Sequence, residues 1–207
     1  MVYKKMNKEL FSLLDEMGQK AKIASSILNT ASSDQKNKFF DVAIESIKKD
    51  ADKILEANQA DIQQAKENNK DEAFIDRLAL DKNRLQGICD TLKAIKSFED
   101  PVGKVLASWS RPNGLNISRV ATPLGVIGLI FESRPNVAAD AGGLCLKSGN
   151  AVILRSGKDG LGSAMAIVTS LQAALISADL PKECIQIVPS ESRDAAILML
   201  EGLNGSI

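Results

Sequence analysis

Short apolar runs alternate with helical segments from Gly125 onward, and this alternation constrains the fold more than any other feature of the chain. The apolar runs cover residues 126–131, 152–155 and 185–188, and the helical segments cover residues 137–147, 161–178 and about 192–200. Apolar strands that alternate with helices are typical of a parallel sheet covered by helices on both faces. We therefore predict an α/β fold for this part of the chain.

The first part of the chain, from about residue 8 to residue 98, has helical periodicity and predicts three helices. The apolar stripe of the first helix consists of Leu10, Leu13, Leu14, Met17, Ala21 and Ala24. Ser32 and Gln35 resemble a capping box for the second helix. Its inner side carries Phe39, Phe40, Ala43, Ile44, Ile47, Ile54 and Leu55. Asp81 is a candidate N-cap for the third helix, which ends before a turn at residues 100–103. The apolar residues of that helix are Leu85, Ile88, Cys89, Leu92 and Ile95.

Between these two parts, residues 105–110 and 115–120 alternate between apolar and polar side chains. The segment that separates them contains Asn-Gly, which favours a tight turn, so we predict a hairpin of two antiparallel strands. At the other end of the chain, Gly205 is predicted to stop the last helix. Ser206 and Ile207 are then predicted to begin a further strand.

The composition excludes several kinds of chemistry. The chain contains no histidine, which removes imidazole bases and histidine-ligated metals, and we predict no metal site. Its 26 basic and 26 acidic residues cancel, so no global charge attracts nucleic acid or an anionic membrane. Three widely separated cysteines favour a reducing compartment. The N-terminus MVYKKMNKELF lacks a signal-peptide core, and no apolar run is expected to approach transmembrane length, which predicts a cytoplasmic protein.

Charged and amide side chains follow the first predicted strand, in an elbow at residues 131–136. The carboxyl ends of parallel strands are where open sheets bind ligands. Glu132 and Arg134 are therefore candidates for contacts with a ligand, and the alternative is that they pair with each other. Asn136 is a candidate N-cap of the following helix, which would be a structural role.

A second polar group follows the next predicted strand. Arg155, Ser156 and Lys158 form a cationic, hydroxyl-bearing loop in front of a helix. Such a loop suits a ribose or phosphate because a helix N-terminus favours negative charge, and the alternative is an ordinary connecting loop. The glycines here do not form a dinucleotide fingerprint, and Gly142 and Gly143 are predicted to serve close helix packing.

The segment PLGVIGLIFESRPNVAADAGGLCLKSGNAVILRSGK closely resembles the gamma-glutamyl phosphate reductase family, a branch of the aldehyde dehydrogenase superfamily. DRLAL, DPVG and LPKECIQIVPS extend the resemblance over nearly the whole chain. It implies an α/β fold with a parallel Rossmann-like sheet of the aldehyde dehydrogenase type, N-terminal helices and a protruding β-hairpin. Residues 1–207 would then be an incomplete cofactor-binding domain without its catalytic domain. Its parts are a helical segment (8–98), a hairpin arm (103–121) and a βαβαβα segment (123–207).

The family reduces gamma-glutamyl phosphate with NADPH to glutamate-5-semialdehyde for proline synthesis, and the resemblance implies the same reaction here. The residues that it implies for the adenosine ribose and 2′-phosphate of NADPH are Arg155, Ser156, Gly157 and Lys158. Ile130 and Phe131 are implied to lie beneath the cofactor.

The resemblance also implies roles on the substrate side. Asn136 is the implied oxyanion stabiliser. Glu132 and Arg134 are then available for the ammonium and the carboxylate of the glutamyl head group, respectively.

The family mechanism uses a cysteine that forms a thioester. None of the three cysteines of this chain matches it, namely Cys89, Cys145 and Cys184. The resemblance therefore implies an N-terminal half that is inactive alone and binds NADPH weakly. The sheet edge left after Gly205 predicts self-association or disorder near the C-terminus. The implied partners are the glutamyl substrate, a second copy through the hairpin and glutamate 5-kinase, with no nucleic acid or membrane.

Two other functions stay open at this point. A stand-alone module that binds a nucleotide or a partner chain without redox chemistry would also lack a nucleophile. A different acyl or aldehyde dehydrogenase of the superfamily is the other possibility. The Ser-Arg-Pro-Asn elbow, in place of the usual Pro-Trp-Asn type, argues against that second reading.

Overall fold

The computed structural model describes residues 8–207. The first seven residues of the N-terminal segment MVYKKMNKELF, which was found to lack a signal-peptide core, lie outside the described residues. The helices are α1 (Lys8–Leu28), α2 (Ser33–Lys49), α3 (Ala51–Glu67), α4 (Glu72–Leu78), α5 (Lys82–Ser97), α6 (Asn136–Lys147), α7 (Leu161–Ser177) and α8 (Arg193–Leu200). The strands are β1 (Val105–Ser110), β2 (Asn116–Val120), β3 (Val126–Ile130), β4 (Ala151–Arg155) and β5 (Ile185–Ile187). The predicted α/β architecture is confirmed.

The last three strands form a parallel sheet in the order β3-β4-β5. The central strand β4 is buried along its length except at Arg155, where it ends. Val152 and Leu154 belong to the core that includes α2, α5, α6 and α7, whereas Ala151 and Ile153 pack with α1 and α8. Successive strand residues point to opposite faces, so helices cover the sheet on both sides.

The N-terminal helices confirm two predicted caps. Ser32 accepts a hydrogen bond from the backbone of Gln35, whose side chain accepts one from the Ser32 N–H, completing the capping box. Asp81 accepts a hydrogen bond from the Arg84 N–H at 2.7 Å and opens α5. Each cap satisfies donors that the first turn of a helix leaves without an intrahelical partner.

The number of N-terminal helices was predicted wrongly, since the described residues contain five where the periodicity predicted three. The predicted second helix is interrupted at Asp50, which ends α2 and precedes α3. The Asp50 carboxylate accepts a hydrogen bond from the Ser170 hydroxyl of α7 at 3.0 Å, a tertiary contact that periodicity does not reveal. Leu13 is also corrected, because it is exposed rather than part of the buried stripe of α1.

The predicted hairpin is confirmed. β1 and β2 pair antiparallel, and Leu115 lies just outside the second strand. Gly114 has a positive φ of 82°, which the tight turn requires and which glycine adopts without a steric penalty. Most hairpin side chains are exposed, so the two strands extend away from the core.

The end of the chain departs from the prediction. Gly202, with φ of 87°, provides the left-handed residue after α8, and a short 3₁₀ turn spans Leu203–Gly205. Ser206 and Ile207 form no strand. The Ile207 side chain instead packs over Gly128 of β3, where a Cβ would lie 2.6 Å from Ile207 Cδ1.

One helix of the described residues, Lys158–Ser177, is long and apolar enough to cross a membrane by length and composition. This corrects the expectation that no apolar run approaches transmembrane length. Half of its most apolar window is buried inside the structure. Core helices of compact α/β folds have the same properties, so the helix is weak support for a membrane span.

Candidate functional site

The candidate site is built on the carboxyl ends of β3 and β4, which lie side by side because Ile130 pairs with Arg155. Beyond the strands, the Phe131 N–H donates to the Arg155 carbonyl at 3.0 Å. The Gly157 N–H likewise donates to the Glu132 carbonyl at 2.8 Å. These bonds bring the elbow after β3 and the loop after β4 together at one edge of the sheet.

Gly157 and Ser156 determine how closely the loop approaches the elbow. A Cβ at Gly157 would lie 3.2 Å from the Glu132 carbonyl carbon and oxygen, so a larger residue would push the two segments apart. The Ser156 hydroxyl is buried and donates to the Glu132 or Gly157 carbonyl, at 3.3 and 3.0 Å. Ser156 therefore stabilises the loop from within instead of presenting its hydroxyl at the surface.

The two cations of the loop differ in their surroundings. The Arg155 Nη2 donates to the carbonyls of Glu191 and Ser192 at 3.3 and 3.2 Å, which ties this guanidinium to the segment before α8. Its Nε is buried and has no hydrogen-bond partner within residues 8–207. Lys158, in contrast, is exposed. The loop thus offers one tethered guanidinium and one exposed ammonium.

The elbow presents its charges outward. Ser133 and Pro135 are buried, whereas Glu132 and Arg134 are exposed. In the part of the chain that the structure describes, these two residues form no ion pair with each other. The alternative in which they simply neutralise one another is therefore not observed.

Asn136 is not the N-cap of α6, and that structural prediction is wrong. The cap position is Pro135, whose φ of −63° and ψ of −31° are already helical, so Asn136 is the first residue of the helix. Its amide Nδ2 donates to Asp140 Oδ2 at 2.8 Å, one turn further along. Burial raises the pKa of the Asp140 carboxyl, and the hydrogen bond from Asn136 offsets part of this rise.

Sequence reasoning missed Arg77 of α4, which belongs to the DRLAL segment but had been given no role. The Arg77 side chain lines three neighbouring cavities of about 480, 510 and 320 Å³. The first also contacts Arg134, Asn136 and Asp140, and the third contains both Glu132 and Arg134. Arg77 borders three cavities because of the way the chain folds back around α4. The local sequence contains no signal of this tertiary arrangement.

The position of α4 is held by hydrogen bonds from one buried side chain, Asn58, and one exposed side chain, Arg84. Asn58 of α3 donates to the Leu78 carbonyl at 2.9 Å and accepts from the Leu80 N–H at 2.7 Å. Arg84 pairs with Asp76 at 2.7 Å and also donates to the backbone carbonyls of residues 76 and 79. These bonds fix the chain on both sides of Arg77.

The cysteines are unsuited to nucleophilic chemistry. All three are buried. Burial raises the pKa of Cys145 to about 11 and, together with the nearby charge of Glu183, that of Cys184 to about 12. Burial also raises the pKa of Cys89. Each thiol is therefore protonated near neutral pH. Cys145 packs in the hydrophobic core. Within residues 8–207, no group of three or more acidic or cysteine residues could hold a metal ion.

The sequence and structure are similar to those of known proteins. The chain is 50% identical over 202 residues to a gamma-glutamyl phosphate reductase of Brucella suis biovar 1 (strain 1330), covering 98% of this chain and 48% of that protein. The crystal structure of gamma-glutamyl phosphate reductase from Thermotoga maritima matches with a TM-score of 0.89 and 37% identity, over 90% of this chain and 45% of that one. The chain thus spans about half the length of these relatives.

A more distant likeness concerns the fold alone. An acetylating aldehyde dehydrogenase from Geobacillus thermoglucosidasius matches with a TM-score of 0.68 and 13% identity, over 93% of this chain and 40% of that one. No family profile matches the chain. The resemblance to gamma-glutamyl phosphate reductases and the aldehyde dehydrogenase type of fold are both confirmed by these similarities.

Proposed function

We propose that this chain, which matches gamma-glutamyl phosphate reductases over about half of their length, forms the cofactor-binding part of such an enzyme. The enzyme would reduce gamma-glutamyl phosphate to glutamate-5-semialdehyde with NADPH, in the cytoplasm, as a step of proline synthesis. The observation that carries the proposal is the 50% identity over 98% of the chain to a gamma-glutamyl phosphate reductase.

The edge of the sheet offers groups that suit a nicotinamide dinucleotide. A cavity of about 510 Å³ is bordered by Ile130, Phe131, Arg155 and Gly157. The Arg155 Nε is a buried donor without a partner in the described chain, and a phosphate or ribose oxygen would satisfy it. Gly157 keeps the loop close to the elbow, and Lys158 adds a second cation for the 2′-phosphate. When bound, NADPH supplies the hydride.

The substrate side of the elbow carries an amide and two charges. The Asn136 amide uses one N–H for Asp140 and has a second for a developing oxyanion. Glu132 and Arg134 are exposed beside it and have the charges that an ammonium and a carboxylate require. In this proposal Asn136 stabilises the acyl oxygen and Arg134 orients the glutamyl chain.

The acyl group would be transferred to a cysteine that lies outside these 207 residues. The three cysteines of the chain are buried, and burial keeps their thiols protonated. A protonated thiol is a poor nucleophile. The role of this chain is therefore to bind and orient the cofactor and the substrate.

The substrate role of Arg134 is tested in a reductase that spans the full length of the relatives and contains these residues. Arg134→Ala is expected to raise the KM for gamma-glutamyl phosphate by about tenfold or more, because a charge-assisted hydrogen bond is lost. Lys22→Ala removes an exposed cation from α1, outside the elbow and the hairpin, and serves as the control. An unchanged KM for the Arg134 variant would refute the assignment.

The cofactor role of the loop is tested by nucleotide preference in the same enzyme. Lys158→Gln is expected to lower kcat/KM for NADPH more than for NADH, since only NADPH carries the 2′-phosphate. Lys93→Gln on the exposed side of α5 is the control. NADPH binding without any reduction of gamma-glutamyl phosphate would support the alternative of a nucleotide-binding module without redox activity.

A further inference from the structure

A second cavity, apart from the cofactor edge, lies between α4, α5 and α6, and we name it the α4–α6 cleft. It has a volume of about 480 Å³ and is bordered by Arg77, Arg134, Asn136 and Asp140. Arg84 and Asp76 also border it, but they pair with each other at 2.7 Å. The Thr91 hydroxyl borders it too and donates to the Gly87 carbonyl at 3.0 Å. The charged and amide groups left to meet a ligand are therefore two guanidiniums, one amide and one carboxylate.

The two guanidiniums have no ion-pair partner in residues 8–207. Arg77 and Arg134 are both exposed, and neither takes part in a salt bridge of the described chain. They come from different elements, α4 and the elbow after β3, yet they border the same cleft. Two convergent guanidiniums suit a carboxylate or a phosphate, which accept paired hydrogen bonds from Arg.

The carboxylate in the cleft selects between these two anions. Asp140 is partly buried, and within residues 8–207 its hydrogen-bond partner is the Asn136 amide alone. Burial raises the pKa of its carboxyl, which a bound cation would reverse. A phosphate would be repelled by Asp140, whereas a zwitterion would place its ammonium there and its carboxylate on the arginines.

The polar groups of α6 lie within reach of both ends of a glutamyl chain. Asn136 Nδ2 donates to Asp140 Oδ2 at 2.8 Å, which leaves one amide N–H and the carboxylate oxygen Oδ1 for a ligand. An extended glutamyl group spans about 5 Å from its acyl carbon to its amino nitrogen, with bonds near 1.5 Å. With a hydrogen bond of about 3 Å at each end, the acyl oxygen can meet Asn136 while the ammonium meets Asp140.

We propose that the α4–α6 cleft binds the α-amino acid head group of the substrate, with the α-carboxylate between Arg77 and Arg134 and the α-ammonium on Asp140. The inference rests on the proposed function and deepens it. It gives Arg77 a role and replaces Glu132 by Asp140 as the ammonium partner. Glu132 borders the two neighbouring cavities and does not border the cleft.

The test is calorimetric titration of the 207-residue chain with L-glutamate γ-methyl ester, which has an intact head group and an uncharged acyl end. Arg77→Gln and Arg134→Gln are each expected to weaken binding by about tenfold or more. Asp140→Asn is expected to weaken binding of the ester but not of monomethyl glutarate, which lacks the ammonium. Lys22→Gln, at an exposed position of α1 outside the cleft and the hairpin, should bind like the parent chain.

Several outcomes would overturn the inference. One is the absence of ester binding by the parent chain, and another is an Arg77→Gln variant with unchanged affinity. Weaker ester binding by Glu132→Gln, together with unchanged binding by Asp140→Asn, would assign the ammonium contact to Glu132 instead. Thermal unfolding of each variant separates lost binding from lost folding.

The titration involves no redox step, so failure of the inference and failure of the proposed function can be told apart. Head-group-dependent binding together with an inactive full-length enzyme would refute the reductase proposal alone. An active enzyme with an ester affinity that none of the substitutions changes would refute the α4–α6 cleft alone.

Discussion

Asn58 shows at the scale of a single residue how a buried polar side chain positions a site that it does not enter. It is fully buried, and its amide bonds the Leu78 carbonyl, the Leu80 N–H and the Ser163 hydroxyl. The first two contacts flank Ala79, which borders the α4–α6 cleft. The helix and loop on which Arg77 sits are thereby held against α3 and α7.

Asn58→Ala is expected to destabilise the protein by about 3 kcal/mol, since buried backbone groups lose their partners. Gln59→Ala, on the exposed side of α3, is expected to change the stability by less than about 0.5 kcal/mol. Urea unfolding of both variants measures the difference. Equal stabilities would mean that Asn58 does not hold this segment.

Asp100 makes stability depend on acid pH. Its carboxylate pairs with Lys36, whose side chain is only 1% exposed, at 2.9 Å. Burial alone would raise the pKa of Asp100, but hydrogen bonds from Lys36, the Val102 N–H and Ser33 outweigh it and lower the pKa below 3.8. The pair's contribution is therefore complete above about pH 4 and is lost as the pH falls through the folded-state pKa.

Asp100→Asn is expected to destabilise the protein by about 3 kcal/mol at pH 7, because a buried ammonium loses its partner. The difference from the parent should shrink as the pH falls through the lowered folded-state pKa of Asp100, below which the carboxyl is protonated in both states. Unfolding by urea at pH 7 and at successively lower pH measures this. Asp41→Asn breaks an exposed pair with Lys96 and should cost less than about 1 kcal/mol at each pH. A pH-independent loss in the Asp100 variant would contradict the account.

At the scale of elements, two helical glycines have different roles because their packing environments differ. A Cβ at Gly143 of α6 would lie 3.1 Å from Leu92 and 3.3 Å from Ile95 of α5. A Cβ at Gly87 of α5 would meet nothing within 4 Å. The predicted role of Gly143 in close packing is thus confirmed, and Gly87 has no such role.

Gly143→Val is expected to destabilise the protein by about 2 kcal/mol or more, because the added methyl groups would separate α5 from α6. Gly87→Ala is expected to stabilise it by up to about 1 kcal/mol through helix propensity alone. Thermal unfolding of the pair gives the sign of each effect. Destabilisation by both substitutions would show that Gly87 also has a conformational role.

The elements that sequence predicts well are those with local signals. The caps at Ser32 and Asp81 depend on residues three positions away, so they are readable from the chain alone. The break at Asp50 is stabilised by Ser170, which lies 120 residues further along. No local window contains that contact, and the periodicity therefore merged two helices into one.

At the scale of the whole molecule, the hairpin is the part of the described chain that other elements bury least. Four of its large apolar side chains are at least 42% exposed, namely Val105, Leu106, Trp109 and Val120. Exposed apolar patches of this kind commonly meet a partner surface. A second copy of the chain through the hairpin remains the predicted partner.

Replacing Leu106 and Trp109 together by Ser is expected to lower the mass of the protein in light scattering toward that of one chain. The physical reason is the loss of apolar area that the partner would bury. Leu200→Ser, at a position 80% exposed on α8, is the control for a lost apolar surface residue elsewhere. A parent protein that is already monomeric, or an unchanged mass in the double variant, would rule out the hairpin interface.

The sequence by itself determined the alternation of strands and helices, the parallel sheet and the hairpin, and it placed the elbow and the loop after strand ends. These follow from hydrophobic periodicity and turn residues, which act over a few positions. The tertiary structure alone decided that Arg77 and Arg134 border one cleft with Asp140, and that Ser156 is buried while Lys158 is exposed. The reason is physical: cavities and burial arise from contacts between distant segments, such as Asp61 with Ser163, 102 residues apart.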